Sequence, residues 1–384
     1  MSVARLAGIP GFSIDRVAAA AGDDPDVLRL ENLDTDLRPP PEALAATRAA
    51  LEDDDANSYL PFVGRAALRA AVADRINRQA GTALTADDVV VTCGGTEGML
   101  DALLAMTDPG DEVLLADPTY AGMLQRVRLV GAVPRLMPFV TERGAWRLDL
   151  DALRAVVTAK TRVVFLMNPS MPTGAVLSEE EWEAVAGLCR AHGLWLLYNA
   201  AMERIVYDGR PAMHPAALDG MAERTVTVGS VSKEYRMIGW RIGWVAGPRP
   251  LLDNVARVHI YNAVTPTGIA QAGALAALTA SDDGLTASVE EWQRRRDVVT
   301  SQLAGFSTVT AAGGWSQLLD VSALGLGGFE ASARLLARGR VAATPMRDWG
   351  AAYGDRFVRL VFSNEPAERL LELGARVERA LRGG

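Results

Sequence analysis

Between residues 87 and 250, short apolar runs rich in β-branched residues alternate with longer amphipathic stretches. The runs are DDVVVTCG (87–94), DEVLLADP (111–118), VPRLMPF (133–139), RVVFLMNP (162–169), LWLLYN (194–199), RTVTVGSVS (224–232) and WRIGWVAG (240–247). Most are apolar throughout, as strands covered on both faces must be, and their alternation with helical stretches is the form of a βαβ succession. The pattern predicts an α/β fold, with a three-layer large domain around a mostly parallel, seven-stranded sheet. Of the intervening helices, the one over 178–191 is best marked. Ser178 and Glu181 form an S-x-x-E capping box, and His192-Gly193 supplies the stop.

After Gly247 the pattern changes. A helix near 250–262 precedes the alanine-rich GIAQAGALAALTA. A long charged helix, SVEEWQRRRDVVTSQL, then leads into strands and helices from about residue 305. This predicts a smaller α+β domain. The N-terminal piece, with Pro39, Pro40 and Pro41 ahead of a helix at 42–52, is expected to return and pack on that domain or on a second subunit. The expected division is 42–280 for the large domain, and 1–41 together with 281–384 for the small one. In an open α/β sheet, ligands collect beyond the C-terminal ends of the strands, so the loops there are the place to look for chemistry.

Composition mostly excludes. At 384 residues the chain has room for two or three domains, and 39 basic against 47 acidic residues leave a net charge of -8. That is no footprint for nucleic acid, which needs a clustered basic face. The triplet Arg294-Arg295-Arg296 reads as a solvated helix face. Cys93 and Cys189 permit one disulfide at most and lack CxxC spacing. Cys93 is expected at the end of a buried strand and Cys189 in helix packing. His192, His214 and His259 show no metal-ligand spacing. No leader-like apolar core and no stretch of roughly 18 apolar residues is present, so the expectation is a reduced, soluble, cytoplasmic protein with no membrane segment.

The most informative stretch is Ser230-Val231-Ser232-Lys233-Glu234-Tyr235-Arg236-Met237-Ile238-Gly239-Trp240-Arg241, directly after a predicted strand. A lysine at the mouth of a sheet, bracketed by two hydroxyls and followed by an arginine, can form a Schiff base while Ser230, Ser232 and Arg241 hold a phosphate. Such an arrangement suits pyridoxal 5'-phosphate.

From about residue 30 to 380 the chain resembles the class I/II aminotransferases, pyridoxal phosphate enzymes of fold type I. Tyr59, Gly64, Leu68 and Arg69 are similar to a Y-x4-G-x3-LR element whose tyrosine reaches the cofactor phosphate of the neighbouring subunit. Gly94-Gly95-Thr96-Glu97 resembles the phosphate-binding turn, where amides at a helix N-terminus meet the anion. Asp117-Pro118-Thr119-Tyr120 resembles the element whose aromatic ring stacks on the pyridine. Ser230 to Arg241 matches S-x-S-K-x5-G-x-R, and Phe357-Val358-Arg359-Leu360 matches an element whose arginine clamps the substrate's α-carboxylate. Singly, each block reads more simply as an ordinary feature: Tyr59 and Tyr120 as half-buried aromatics, Gly94-Gly95 as a strand-to-helix turn, Arg359 as a solvated arginine on an edge strand; their order and spacing carry the weight. The resemblance implies an aspartate-aminotransferase-like fold, a Lys233 Schiff base, an amino-acid or amine substrate and a homodimer with shared active sites.

Three positions depart from that pattern. The box Asn168-Pro169-Ser170-Met171-Pro172-Thr173-Gly174 carries Met171 where the family has an asparagine that bonds the cofactor's phenolic oxygen. Alignment on Val206-Tyr207-Asp208-Gly209 puts Asn199 at the family's aspartate, which keeps the pyridine nitrogen protonated, and Met202 at its tyrosine. Three functions stay open on these grounds. One is transamination. A second is the same site redirected to elimination, replacement or cyclisation in a specialised biosynthetic pathway. The third is a cofactor-independent enzyme or silent binding protein on this fold. Arg236 is a candidate for a substrate's distal acid, and Thr35, Asp36 and Arg38 for approach to the pocket.

Overall fold

The computed structural model describes every residue except Met1, Ser2, Ala4, Arg5, Phe12, Ala352 and Gly384. The first strand, β1 (Leu28–Leu30), belongs to the smaller of two sheets. The seven apolar runs become β2 (Val89–Thr92), β3 (Glu112–Asp117), β4 (Val133–Glu142), β6 (Thr161–Met167), β7 (Trp195–Asn199), β8 (Thr225–Ser230) and β9 (Gly243–Ala246), with β5 (Ala145–Leu148) between the third and fourth. They lie in the order β2-β9-β8-β7-β6-β3-β4-β5. The stretch from β8 through β7, β6 and β3 to β4 is parallel, whereas β9 runs antiparallel between β2 and β8.

The sheet has eight strands rather than the seven expected. The extra one, β5, folds back on the end of β4 through Arg143-Gly144, whose φ angles of 50° and 77° make the two-residue turn that suits a twisted hairpin. An arginine in the left-handed region is uncommon, which is why the reversal was missed.

Strands β6 to β9 are almost wholly buried. Period-2 alternation divides β2 and β9 between two cores. Val89, Val91, Trp244 and Ala246 join the helices Ala66–Ala80 and Gly268–Thr279 on one face. Val90 and Val245 face the other, with the helices Gly95–Met106 and Arg249–Asn262. The helix Glu179–His192 has the expected ends: Ser178 and Glu181 cap each other and Gly193 closes it at φ 63°.

The smaller sheet has the order β1-β12-β13-β11-β10, with β10 (Ser307–Thr308), β11 (Ser316–Asp320), β12 (Val341–Pro345) and β13 (Phe357–Val361). β1 pairs in parallel with β12, Leu28 opposite Val341, so the start of the chain does return to its last third. Among the described residues, no helix is long and apolar enough to cross a membrane.

The arginine triplet corrects the sequence reading. Only Arg294 is exposed. Arg295 is buried, with Nη1 2.7 Å from Asp36, and buried Arg296 has Nη2 2.7 Å from Asp208. Helical periodicity put two of three consecutive arginines on the inner face, where carboxylates from distant segments compensate them.

Candidate active site

The site begins where β2 turns into the helix Gly95–Met106. Gly94 has φ 78°, and a side chain there would lie 2.7 Å from Arg241 Nη2. Glycine is therefore needed both for the turn and for the approach of the guanidinium. Gly243 is needed for a similar reason, since a Cβ on it would sit 2.4 Å from the Gly95 nitrogen. These close approaches bring the amides of Gly95 and Thr96 beside Ser230, Ser232 and Arg241. Arg241 Nη1 donates to Ser232 Oγ at 3.4 Å and to the Ile238 carbonyl at 3.0 Å. Among the described residues no carboxylate pairs with Arg241. A helix N-terminus, two hydroxyls and an uncompensated guanidinium make a cradle for a phosphate.

Lys233 follows immediately after β8 and opens onto a cavity of about 290 Å³ that these groups also line. Its Nζ donates to the Leu33 carbonyl at 2.6 Å and lies 4.9 Å from the centre of the Trp315 ring. Burial lowers its pKa to about 7; Arg241 and Arg359 push the same way and Asp34 opposes them. Near neutral pH much of it is free amine, the form that attacks a carbonyl. Behind it, Glu234 binds Arg75 at 2.6 Å and Arg204 at 2.8 Å, anchoring the turn.

Arg359, on β13, reaches the same cavity and is fully buried. It donates to the Glu31 carbonyl and to Thr344 Oγ1, while Nε has no partner; its guanidinium carbon lies 4.7 Å from the Trp349 ring centre. Burial lowers its pKa to about 9, so it remains a cation at neutral pH. A buried cation with a spare N–H beside a cavity suits a carboxylate.

The opposite wall has a different character. Asn199, at the end of β7, lines the cavity together with Met99, Met167, Met171 and Met202, and no Asp or Glu does so among the described residues. Asn199 Oδ1 accepts from the Ala201 N–H at 3.1 Å, while Nδ2 lies 3.6 Å from Met99 Sδ and 3.7 Å from Met167 Sδ. The three altered positions, Met171, Asn199 and Met202, are thus neighbours in space.

Of the sequence candidates, Gly95, Thr96, Tyr120, Asn199, Ser230, Ser232, Lys233, Arg241 and Arg359 line one cavity. Tyr59 does not; it is 83% exposed on a loop. Arg236 does not line the cavity, and each of its three guanidinium nitrogens donates to a carbonyl, of Arg38, Glu234 and Asp283. Thr35 and Asp36 are engaged elsewhere, with Trp292 and Arg295, and Arg38 does not line the cavity; Asn32 and Leu33 take the place expected for these three.

Sequence reasoning missed Met99 and Met167. Met99 lies one helical turn after Gly95, a spacing that could have flagged it. It also missed the role of His259. His259 Nδ1 lies 2.8 Å from Glu97 and 3.5 Å from Asp101, and Nε2 lies 3.0 Å from the Phe62 carbonyl. Burial alone would lower its pKa, but hydrogen bonds to Asp101 and Glu97 outweigh that and raise it to about 9. This charged histidine ties the first turn of the cradle helix to the helix Arg249–Asn262. Cys93 is half-buried one residue beyond β2, and Cys189 is buried; both are free.

A lysine beside hydroxyls, helix amides and an arginine, at the C-terminal edge of a mostly parallel sheet, has the chemistry expected of a site for a phosphorylated aldehyde. The model for aminotransferase class I and II matches residues 26–377. The arginine–pyruvate transaminase AruH of Pseudomonas aeruginosa is 34% identical over 373 residues, 94% of this chain and 93% of that one. The aspartate/prephenate aminotransferase of Thermus thermophilus is 32% identical over 357 residues, 92% and 91% of the two chains. The solved N-succinyldiaminopimelate aminotransferase of Mycobacterium tuberculosis superposes with a TM-score of 0.92 at 32% identity, covering 98% of this chain and 99% of that one. The chain belongs to the class I and II aminotransferase family and has the aspartate-aminotransferase-like fold. It is an aminotransferase-type enzyme of a family that implies pyridoxal phosphate.

Proposed function

We propose that this protein transfers amino groups between an amino acid and a keto acid, using pyridoxal phosphate held at Lys233. The residues present fit that group at two ends. The amides of Gly95 and Thr96 with Ser230, Ser232 and Arg241 would hold its phosphate, and Lys233 would take its aldehyde carbon. Tyr120 would stack on the ring. When bound, the cofactor supplies the carbonyl that receives the amino group of one substrate and returns it to another. Arg359 holds the substrate's α-carboxylate and so fixes which Cα bond faces Lys233. Lys233, as a free amine, would remove and redeliver the proton at that carbon.

The observation that carries this reading is the meeting, in one cavity, of an amine with its pKa near 7, a phosphate cradle and a buried arginine with an unpartnered N–H. A second copy is part of the proposal, with Tyr59 closing the phosphate end of its neighbour's site. Exposed Tyr59, Phe62 and Tyr261 support it. So is the division into 42–280, and 1–41 with 281–384, which the pairing of β1 with β12 supports.

The test is spectroscopic and chemical. The purified protein mixed with pyridoxal phosphate should develop a visible absorption band, and borohydride should fix the cofactor's mass on the peptide carrying Lys233. Lys233→Ala should show neither. No band in the wild-type protein, or labelling at another lysine, overturns the proposal.

A further inference from the structure

At the wall farthest in character from the phosphate cradle, Asn199 presents a donor without a strong acceptor. Its orientation is set by chemistry. Oδ1 accepts the main-chain N–H of Ala201 two residues on, a turn that an asparagine closes locally, so the NH2 group must be the half that points into the cavity. There Nδ2 meets only the thioether sulfurs of Met99 and Met167, at 3.6 and 3.7 Å. Thioether sulfur is a weak acceptor, so a buried amide donor facing two of them remains available to a stronger one.

The ring of pyridoxal phosphate offers such an acceptor. Its nitrogen lies para to the aldehyde carbon. With that carbon at Lys233 and the phosphate in the cradle, the nitrogen would lie on the side away from the lysine, where Asn199 also lines the cavity. Of the side chains on that wall, Asn199 is the polar one; Met99, Met167, Met171 and Met202 are not. A protonated ring nitrogen is best held by a carboxylate, and no Asp or Glu lines the cavity among the described residues, while the Asn199 oxygen is already taken by the Ala201 N–H. Arg241 and Arg359 add positive potential instead.

We infer that Asn199 donates its Nδ2–H to the lone pair of the cofactor's ring nitrogen and holds that nitrogen unprotonated. The inference rests on the functional reading above and deepens it. It makes the ring a weaker electron acceptor, so charge left by proton removal at the substrate's Cα stays closer to that carbon and to Lys233.

Nitrogen magnetic resonance of the protein loaded with pyridoxal phosphate labelled with 15N in the ring reads this directly, without turnover. At neutral pH the wild-type resonance should fall where unprotonated pyridines resonate. In Asn199→Asp it should move far upfield, into the protonated range. A protonated nitrogen in the wild-type protein overturns the inference while leaving the aminotransferase reading intact. An unprotonated nitrogen in a folded, loaded Asn199→Asp also overturns it, since the residue would then not control the proton. Failure of the wild-type protein to take up the cofactor would instead remove the functional reading, and this inference with it. Should Asn199→Asp not fold, the wild-type spectrum decides by itself.

Discussion

The two walls of the cavity were built by different means. On one, Gly94, Gly95, Thr96, Ser230, Ser232 and Arg241 form an anion cradle from main-chain amides, hydroxyls and a guanidinium, with Lys233 beside it. On the other, four methionines surround a single amide. The first wall supplies charge and tight geometry, so it accepts few substitutions. The second supplies soft, adaptable surface, and its polarity can change without disturbing the sheet ends that support it. On the proposed function, binding and activation of the cofactor would be separable: the cradle would secure the phosphate, and the methionine wall would tune the ring.

The largest effect should come from breaking the first wall. Lys233→Ala should lower transamination by about a thousandfold or more, because it removes both the carbonyl attachment and the proton carrier; single-turnover spectra would check it. Arg359→Gln should cut kcat/KM by about tenfold to a hundredfold while leaving the cofactor band unchanged, the loss expected for one charged hydrogen bond to a substrate carboxylate. Converting the second wall, with Met171→Asn, Asn199→Asp and Met202→Tyr together, should raise the rate of α-proton exchange with solvent by at least about tenfold, since charge and donors return to the ring. No gain would show that the two walls are not separable in the way described.

Two smaller effects follow from pH. The pKa of Lys233 lies near 7, below that of a free lysine, so capture of pyridoxal phosphate by the cofactor-free protein should quicken as the amine deprotonates. The rate constant should rise about tenfold from pH 6 to pH 8 and then level off, which stopped-flow absorbance would follow. His259 works in the other direction. Its folded pKa, about 9, lies above the unfolded value, so its contribution to stability is complete below about pH 6.5 and is lost as pH rises through about 9. In urea unfolding, His259→Gln should cost on the order of 1–2 kcal/mol at pH 6 and much less at pH 10.

Legibility followed sequence distance. Ser230, Ser232, Lys233 and Arg241 fall within twelve residues at the end of one strand, so their convergence could be read from the chain. The seven apolar runs were equally readable, because burial on both faces leaves a continuous signature. The hairpin strand β5 was not, since its turn places Arg143 in the left-handed region at φ 50°. Nor was the burial of Arg295 and Arg296. A charge run looks solvated until Asp36 and Asp208 are known to face it, and those lie 259 and 88 residues away. His259 looked isolated for the same reason: Glu97 is 162 residues distant.

Asn199 divides cleanly between the two sources of information. Its identity, and the methionines at 171 and 202, stand in the sequence, and even the turn to Ala201 is local. What the NH2 group faces is set by tertiary packing alone. Met99 and Met167 are brought to it from 100 and 32 residues away by a helix N-terminus and an adjacent strand. A hydrogen-bond donor is a property of one residue, but the weakness of its acceptors, and hence its availability to a ligand, belongs to the packed assembly of several.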